Sequence, residues 1–294
     1  MAAFFPSHRP KCAEWNAWKL IERGDMIDEA RGPIDYDERG TGPTLVLVPG
    51  SCSTGAAWRP ITAAWNNQFR CVTTSLLGYG GTAERRTPLD ASLSINAEAV
   101  ESVLCKASGK VHLIGHSAGA VIALSVALRK QVPLASLVTI EPPVPMLLKA
   151  SGEDQHYDVF RNMTDAYISD FESGNAEAIA SMIDFYGGAG TFAAWPAKVR
   201  QYAVETTPTN ILDWAGNYGF ALSELSLAAI SIPTLVMVGG ASHVAMKRAS
   251  GLIAKSVNGG KLVTIEGASH FLIATHAIEV ARHVAEHVHR AEVM

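Results

Sequence analysis

The sequence predicts an α/β protein: a mostly parallel central sheet with helices on both faces and a helical segment inserted between two strands. Three observations carry that prediction. Short apolar runs of strand length recur along the chain, and most end at Gly or Pro, as in TLVLVPG (44–50), LASLVTIEPP (134–143) and IPTLVMVGG (232–240). Strands buried on both faces read as such continuous runs, and their alternation with helices implies a doubly covered parallel sheet. From about 145 to 225 the composition shifts toward polar and aromatic residues, with no convincing strand.

The bulk numbers set limits. The 294 residues suffice for one sizeable domain with an insertion. Hydrophobic residues make up 48% and charged residues 18%, a globular balance without long disordered tracts. A formal charge of -4 leaves no basic footprint, so nucleic acid is not an expected partner. No apolar stretch reaches the roughly 18 residues needed to span a bilayer, so no membrane partner is expected. The start, MAAFFPSHRPKCAEW, lacks the apolar core of a signal peptide, and a cytoplasmic location is expected. Cys12, Cys52, Cys71 and Cys105 are widely scattered and form neither a metal pattern nor a disulfide framework.

The elements follow in order. Residues 1–24 read as a helical or irregular extension in which Trp15, Trp18 and Leu20 offer apolar surface. RGPIDYDERGTGP (31–43) alternates as a surface hairpin does, with Gly40 and Gly42 as turn residues. TLVLVPG is a buried strand, and FRCVTTSLLGYGG (69–81) is a strand followed by a glycine-rich turn. Residues 94–106 are helical. VHLIGHSAGAVIAL (111–124) is a strand, a corner and a helix, and LASLVTIEPP is a strand stopped by Pro142 and Pro143. Short helices fill 145–225; IPTLVMVGG and KLVTIEGASH (261–270) supply two more strands, and a last helix runs from about 276. The predicted organisation is a core of residues 25–144 and 226–294 with a helical cap, or lid, over 145–225.

The corner holds the chemistry. Gly115-His116-Ser117-Ala118-Gly119 is a GxSxG sequence. Glycines on either side permit a sharp turn that a Cβ would block, and the turn exposes the serine at the top of the sheet. The following helix aims its positive end at the site, which suits a developing oxyanion. The bare motif is weak, arising by chance in on the order of one such chain in ten. Its context, buried strand before and buried helix after, lifts it.

With the strand order, four stretches resemble the α/β-hydrolase family: VLVPGSCSTGAAW, LLGYGGT, GHSAG and EGASHF, over roughly residues 30 to 290. The resemblance implies a Ser117 nucleophile and a His270 general base, since His270 follows the last strand where the family keeps its catalytic histidine. Most members place an aspartate just beyond the strand that follows the lid; here Ser242 stands there. The family's second location, the end of the strand before the lid, holds Glu141. Zearalenone lactone hydrolases and some haloalkane dehalogenases are similar in that feature, so the expected triad is Ser117, Glu141 and His270. Glu266 is close to His270 in sequence but lies within or at the end of its strand, which makes it a poorer candidate than Glu141.

The oxyanion hole is expected from the N–H of Ala118 and a second N–H in PGSCSTG, from Ser51 or, in reserve, Cys52. Pro49 replaces the histidine that the family commonly has there. LLGYGGT lacks the lysine and Ser/Thr of a phosphate loop and is expected to be structural. His116 is expected to pack locally, near the substrate. His283 and His287 are expected on the solvated face of the last helix. No cofactor or metal is implied.

A serine nucleophile argues against epoxide hydrolysis and dehalogenation, which use aspartate in this fold. Esters, lactones, thioesters and activated amides fit an acyl-enzyme. Carbon–carbon bond hydrolysis, a hydroxynitrile-lyase-like reaction and a ligand-binding receptor remain open alternatives. The partner expected is a small-molecule substrate, apolar or aromatic, meeting Met146, Phe185, Tyr186, Trp195, Trp214 and Tyr218 of the lid.

Overall fold

The computed structural model describes residues 26–294. The predicted extension, residues 1–24, lies outside the described residues. In chain order the strands are β1 (Met26–Ile27), β2 (Ile34–Asp35), β3 (Asp37–Arg39), β4 (Thr44–Val48), β5 (Arg70–Thr73), β6 (Val111–His116), β7 (Ser136–Ile140), β8 (Thr234–Gly239) and β9 (Lys261–Ile265). The core helices are α1 (Arg59–Trp65), α2 (Leu93–Ala107) and α3 (Ala118–Arg129). Between β7 and β8 lie α4 (Pro145–Ala150), α5 (Asp154–Glu172), α6 (Ile179–Gly187), α7 (Thr191–Ala194), α8 (Ala197–Glu205), α9 (Thr207–Tyr218) and α10 (Glu224–Leu227). The chain closes with α11 (Val244–Ser256), α12 (Leu272–Thr275) and α13 (Ala277–Glu292).

Seven strands form one sheet in the order β3-β5-β4-β6-β7-β8-β9, parallel except for the antiparallel β3. Period-2 alternation divides the side chains between two cores. Val46 and Val48 of β4 face α2, α3, α11 and the inserted helices, whereas Leu45 and Leu47 face α1 and α13. The indole N–H of Trp65 in α1 donates to the carbonyl of Ala281 in α13 at 2.8 Å, tying that second layer together. The α/β architecture read from the apolar runs is therefore the observed one.

Two expectations differ. The predicted hairpin over 31–43 does not pair with itself. Ile34–Asp35 pairs with Met26–Ile27 instead, and Asp37–Arg39 pairs antiparallel with Arg70–Thr73. The polar alternation marks a strand at a sheet edge, and β3 covers the hydrogen-bonding groups that β5 would otherwise expose. His287, expected in solvent, is buried at 4% exposure. It falls in the buried stripe of Val280, Val284, Val288 and Ala291 along α13, and burial lowers its pKa to about 4.

Candidate active site

The parallel register brings the key side chains together. β6 ends at His116 opposite Ile140, the last residue of β7, and Ile140 lies opposite Met237 of β8. Ser117 and Glu141 are therefore the first residues past neighbouring strands, at the carboxyl edge where open α/β sheets bind ligands. The Ser117 N–H donates to the Ile140 carbonyl at 2.8 Å, and the Glu141 N–H donates to the Met237 carbonyl at 2.9 Å. Each residue leaves its strand in a left-handed conformation, with φ 54° at Ser117 and 53° at Glu141. Such non-glycine residues hold about 1–3 kcal/mol of strain each.

The flanking glycines are required by close approach. A Cβ at Gly115 would lie 2.3 Å from the carbonyl oxygen of Gly119, and one at Gly119 would lie 2.3 Å from the carbonyl oxygen of Pro49. The strand and helix thus pack backbone to backbone around Ser117.

His270 reaches both partners. Its Nε2 is 2.8 Å from Ser117 Oγ, and its Nδ1 is 3.1 Å from Glu141 Oε2. With Nδ1–H donating to the carboxylate, Nε2 is free to accept the serine proton. Glu141 is fully buried, and its other oxygen, Oε1, accepts from the Gly239 N–H at 2.6 Å and from the Ser242 hydroxyl at 2.5 Å. A buried carboxylate persists only when hydrogen-bonded in this way. Ser242, standing where most family members have an acid, thus supports the acid supplied by the other strand. Glu266 makes no such contact with His270 and is exposed.

His116 holds the backbone of His270. Its Nε2–H donates to the His270 carbonyl at 2.9 Å. Burial, helped by the neighbouring His270, lowers the His116 pKa to about 3, so it stays neutral. Tyr186 stacks on His270, with ring centroids 4.2 Å apart and planes inclined by 26°. Its hydroxyl is buried without a partner, and burial raises its pKa well above the ordinary value.

Among the described residues, the backbone N–H groups of Ala118, Ser51 and Cys52 donate to no group, and all three residues line the same cavity as Ser117. Burial pushes the Cys52 thiol up to about 12, which leaves it protonated and poorly nucleophilic. No cluster of three metal-binding side chains occurs among the described residues.

The cavity has a volume of about 390 Å³ and opens onto Ser117 and His270. Of the expected pocket residues, His116, Tyr186, Trp195 and Trp214 line it. Met146, Phe185 and Tyr218 do not, and these three expectations are corrected. Phe185 is one residue from Tyr186 on α6 and so points about 100° away, where it stacks on His243 at 4.8 Å. Tyr218, at the end of α9, turns to α5, sharing a hydrogen bond with Thr164 and lying under the guanidinium of Arg161. Met146 is half-buried on α4, beside the buried core residues Leu147 and Leu148.

The sequence reading missed the polar wall. Asn210, Asp213, Trp214 and Asn217 have the i, i+3, i+4, i+7 spacing of one helix face, and α9 turns that face to the cavity. Asp213 Oδ2 accepts from Ser51 Oγ at 2.5 Å and Tyr79 OH at 2.6 Å, while Oδ1 accepts from Arg86 Nη1 at 2.5 Å. Arg86, fully buried, also binds Glu84 and the Leu77 carbonyl. The LLGYGGT turn is structural as expected, and its Tyr79 joins this network linking the cap helix to the loop that carries Ser51.

Comparison with known proteins agrees with this fold. The model of the alpha/beta hydrolase family matches residues 45–283. The pimeloyl-[acyl-carrier protein] methyl ester esterase of Vibrio cholerae is 31% identical over 133 residues, 45% of this chain and 50% of that protein. The chain thus spans half the length of that relative. The protein of the same name from Aeromonas hydrophila is 23% identical over 258 residues, covering 85% and 98% of the two chains. Among solved structures, the enol-lactonase from Burkholderia xenovorans superposes with a TM-score of 0.73 at 16% identity, covering 90% of this chain and 99% of that one. The chain belongs to the alpha/beta hydrolase family.

Proposed function

We propose that this protein hydrolyses a carboxylic ester or lactone through an acyl-enzyme formed on Ser117. The observation that carries the reading is the unbroken chain of contacts from Ser117 Oγ through His270 to Glu141. In the proposed mechanism His270 Nε2 takes the serine proton as Oγ attacks the substrate carbonyl, and Glu141 stabilises the imidazolium through Nδ1–H. The N–H groups of Ala118 and Ser51 hold the negative charge that develops on the carbonyl oxygen, with Cys52 N–H the alternative to Ser51. His270 then returns the proton to the departing alcohol oxygen. Water, activated by the same imidazole, attacks the acyl-enzyme and releases the acid.

Met182, Ile183, Trp195, Trp214 and Phe271 give the cavity apolar, largely aromatic walls, suited to a small apolar or aromatic acyl or alcohol group. The names of the matched relatives, a methyl ester esterase and an enol-lactonase, belong to those proteins; they support the bond type proposed here without naming its substrate.

The test combines intact-mass labelling by a fluorophosphonate with turnover of 4-nitrophenyl butyrate. Labelling at Ser117, with turnover lost in Ser117→Ala and His270→Ala, is the expected result. A folded wild type that is neither labelled nor active on any ester would overturn the reading. It would point to the lyase or receptor alternatives.

A further inference from the structure

Among the described residues, two buried side-chain polar atoms of the cavity lining have no partner, Asn210 Oδ1 and Tyr186 OH. Asp213 accepts from three donors. Asn217 donates to the Pro143 carbonyl at 2.7 Å, and Asn96 accepts from the Leu77 N–H at 3.2 Å. Asn210 is 2% exposed, its Oδ1 is buried without a partner, and its carboxamide makes no hydrogen bond to the described residues. The Tyr186 hydroxyl is the second unpartnered group in the same cavity.

We propose that Asn210 is a substrate-binding residue that hydrogen-bonds a neutral polar group, such as a hydroxyl, ketone or amide, carried by the substrate away from its scissile carbonyl. Buried side-chain polar groups are nearly always paired, so an unpaired carboxamide in a cavity wall marks a place where a ligand completes the pairing. Neither end of this carboxamide is anchored. A half-turn about its last torsion therefore presents either the NH2 group or the carbonyl oxygen. One side chain can thus meet a donor or an acceptor.

The group it meets is neutral. No described lysine or arginine lines the cavity, and the Arg86 guanidinium behind the wall is already paired with Asp213 and Glu84. An anionic group would enter without a counter-charge, next to an existing carboxylate, and would carry the full cost of leaving water. With Trp195, Trp214 and Phe271 as the apolar walls, the ligand class is a hydroxylated or similarly substituted aromatic or alicyclic ester, in place of a plain hydrocarbon ester.

The inference builds on the ester-hydrolase reading, and its test separates the two. The 4-nitrophenyl esters of phenylacetic acid and of its 2-, 3- and 4-hydroxyphenyl analogues are compared by kcat/KM in wild type and Asn210→Leu. At least one hydroxylated ester is expected to be preferred over the parent by wild type, and the ratio to fall by about tenfold in the variant, the worth of one neutral hydrogen bond at the upper end. Calorimetric binding of the corresponding methyl esters to Ser117→Ala, with and without Asn210→Leu, is expected to show the same loss of preference. Asn210→Ala replaces the leucine variant if that one does not fold. No preference for any hydroxylated ester, or one that survives the substitution, overturns the inference. Asn210-dependent binding by a protein that turns over no ester would sustain it while removing the hydrolase reading.

Discussion

Ser242 and Glu141 are joined by a hydrogen bond of 2.5 Å between the hydroxyl and Oε1, while Oε2 of the same carboxylate faces His270 Nδ1 at 3.1 Å. In the proposed triad, two strands that each offer a site for the acid thus divide the work. β7 supplies the charge, and the turn after β8 supplies a donor that holds it in place.

Replacing Glu141 with Gln keeps the shape and removes the charge. Turnover of 4-nitrophenyl butyrate is expected to fall about 10³ to 10⁴-fold with the fold intact by circular dichroism. A variant with near-normal turnover would show that another group serves His270.

Ser242→Ala deletes one donor to a buried carboxylate. A loss of about tenfold in kcat is expected, well short of the Glu141→Gln loss, since the Gly239 N–H still holds Oε1. Moving the acid across the gap, as Glu141→Ala with Ser242→Asp, is expected to recover at least tenfold over Glu141→Ala alone. Equal rates for the double and single variants would mean that position 242 cannot reach the imidazole.

Arg86→Met leaves Asp213 buried without its counter-charge. A stability loss of about 3–5 kcal/mol is expected from breaking a buried pair on one side. Thermal unfolding should register it as a drop of roughly 5–8 °C for a chain of this size. The double variant Arg86→Met with Asp213→Leu should unfold at a higher temperature than Arg86→Met. The opposite order would show that Asp213 is not destabilised by losing the guanidinium.

Stability should fall as pH drops below about 6.5. His116 and His287 have folded pKa values lowered to about 3 and about 4, whereas an unfolded histidine titrates near 6.5. Below that value the unfolded chain binds protons that the native state refuses, so each group removes at most about 1.4 kcal/mol per pH unit down to its folded pKa. Above 6.5 both states are neutral and the effect is absent. In urea unfolding, His287→Leu should compare more favourably with wild type at pH 5 than at pH 7.5. An unchanged difference between the two pH values would exclude His287 as a contributor.

The elbow was legible because everything that builds it is local: a strand-length apolar run, glycines where backbones touch, and a helix after Ser117. Glu141 was legible from an absence, since no carboxylate follows VMVGG within reach. The polar wall was not. The spacing of Asn210, Asp213 and Asn217 describes a helix face, but a face does not say which neighbour it meets, and that depends on how the cap lies over the sheet. The hairpin failed for a related reason. Alternation over 31–43 defines which side chains are wet and says nothing of which strand accepts the backbone bonds. His287 was misjudged from its charge-bearing chemistry, although its position in the apolar stripe of α13 was there to read.

All three members of the proposed triad stem from core strands or the loops after them, and the inserted helices contribute cavity walls and Asn210 but no member of that triad. For protein engineers this makes the insert an exchangeable part fastened to the core at several points, of which the Arg86–Asp213 pair is the buried ionic one. A chimera that grafts a foreign cap between β7 and β8 keeps Ser117, Glu141 and His270 in register, but strands the buried guanidinium of Arg86 unless the graft brings a carboxylate to the place of Asp213. Libraries that vary substrate preference should therefore randomise the cap while retaining that pair, or remove both of its members together.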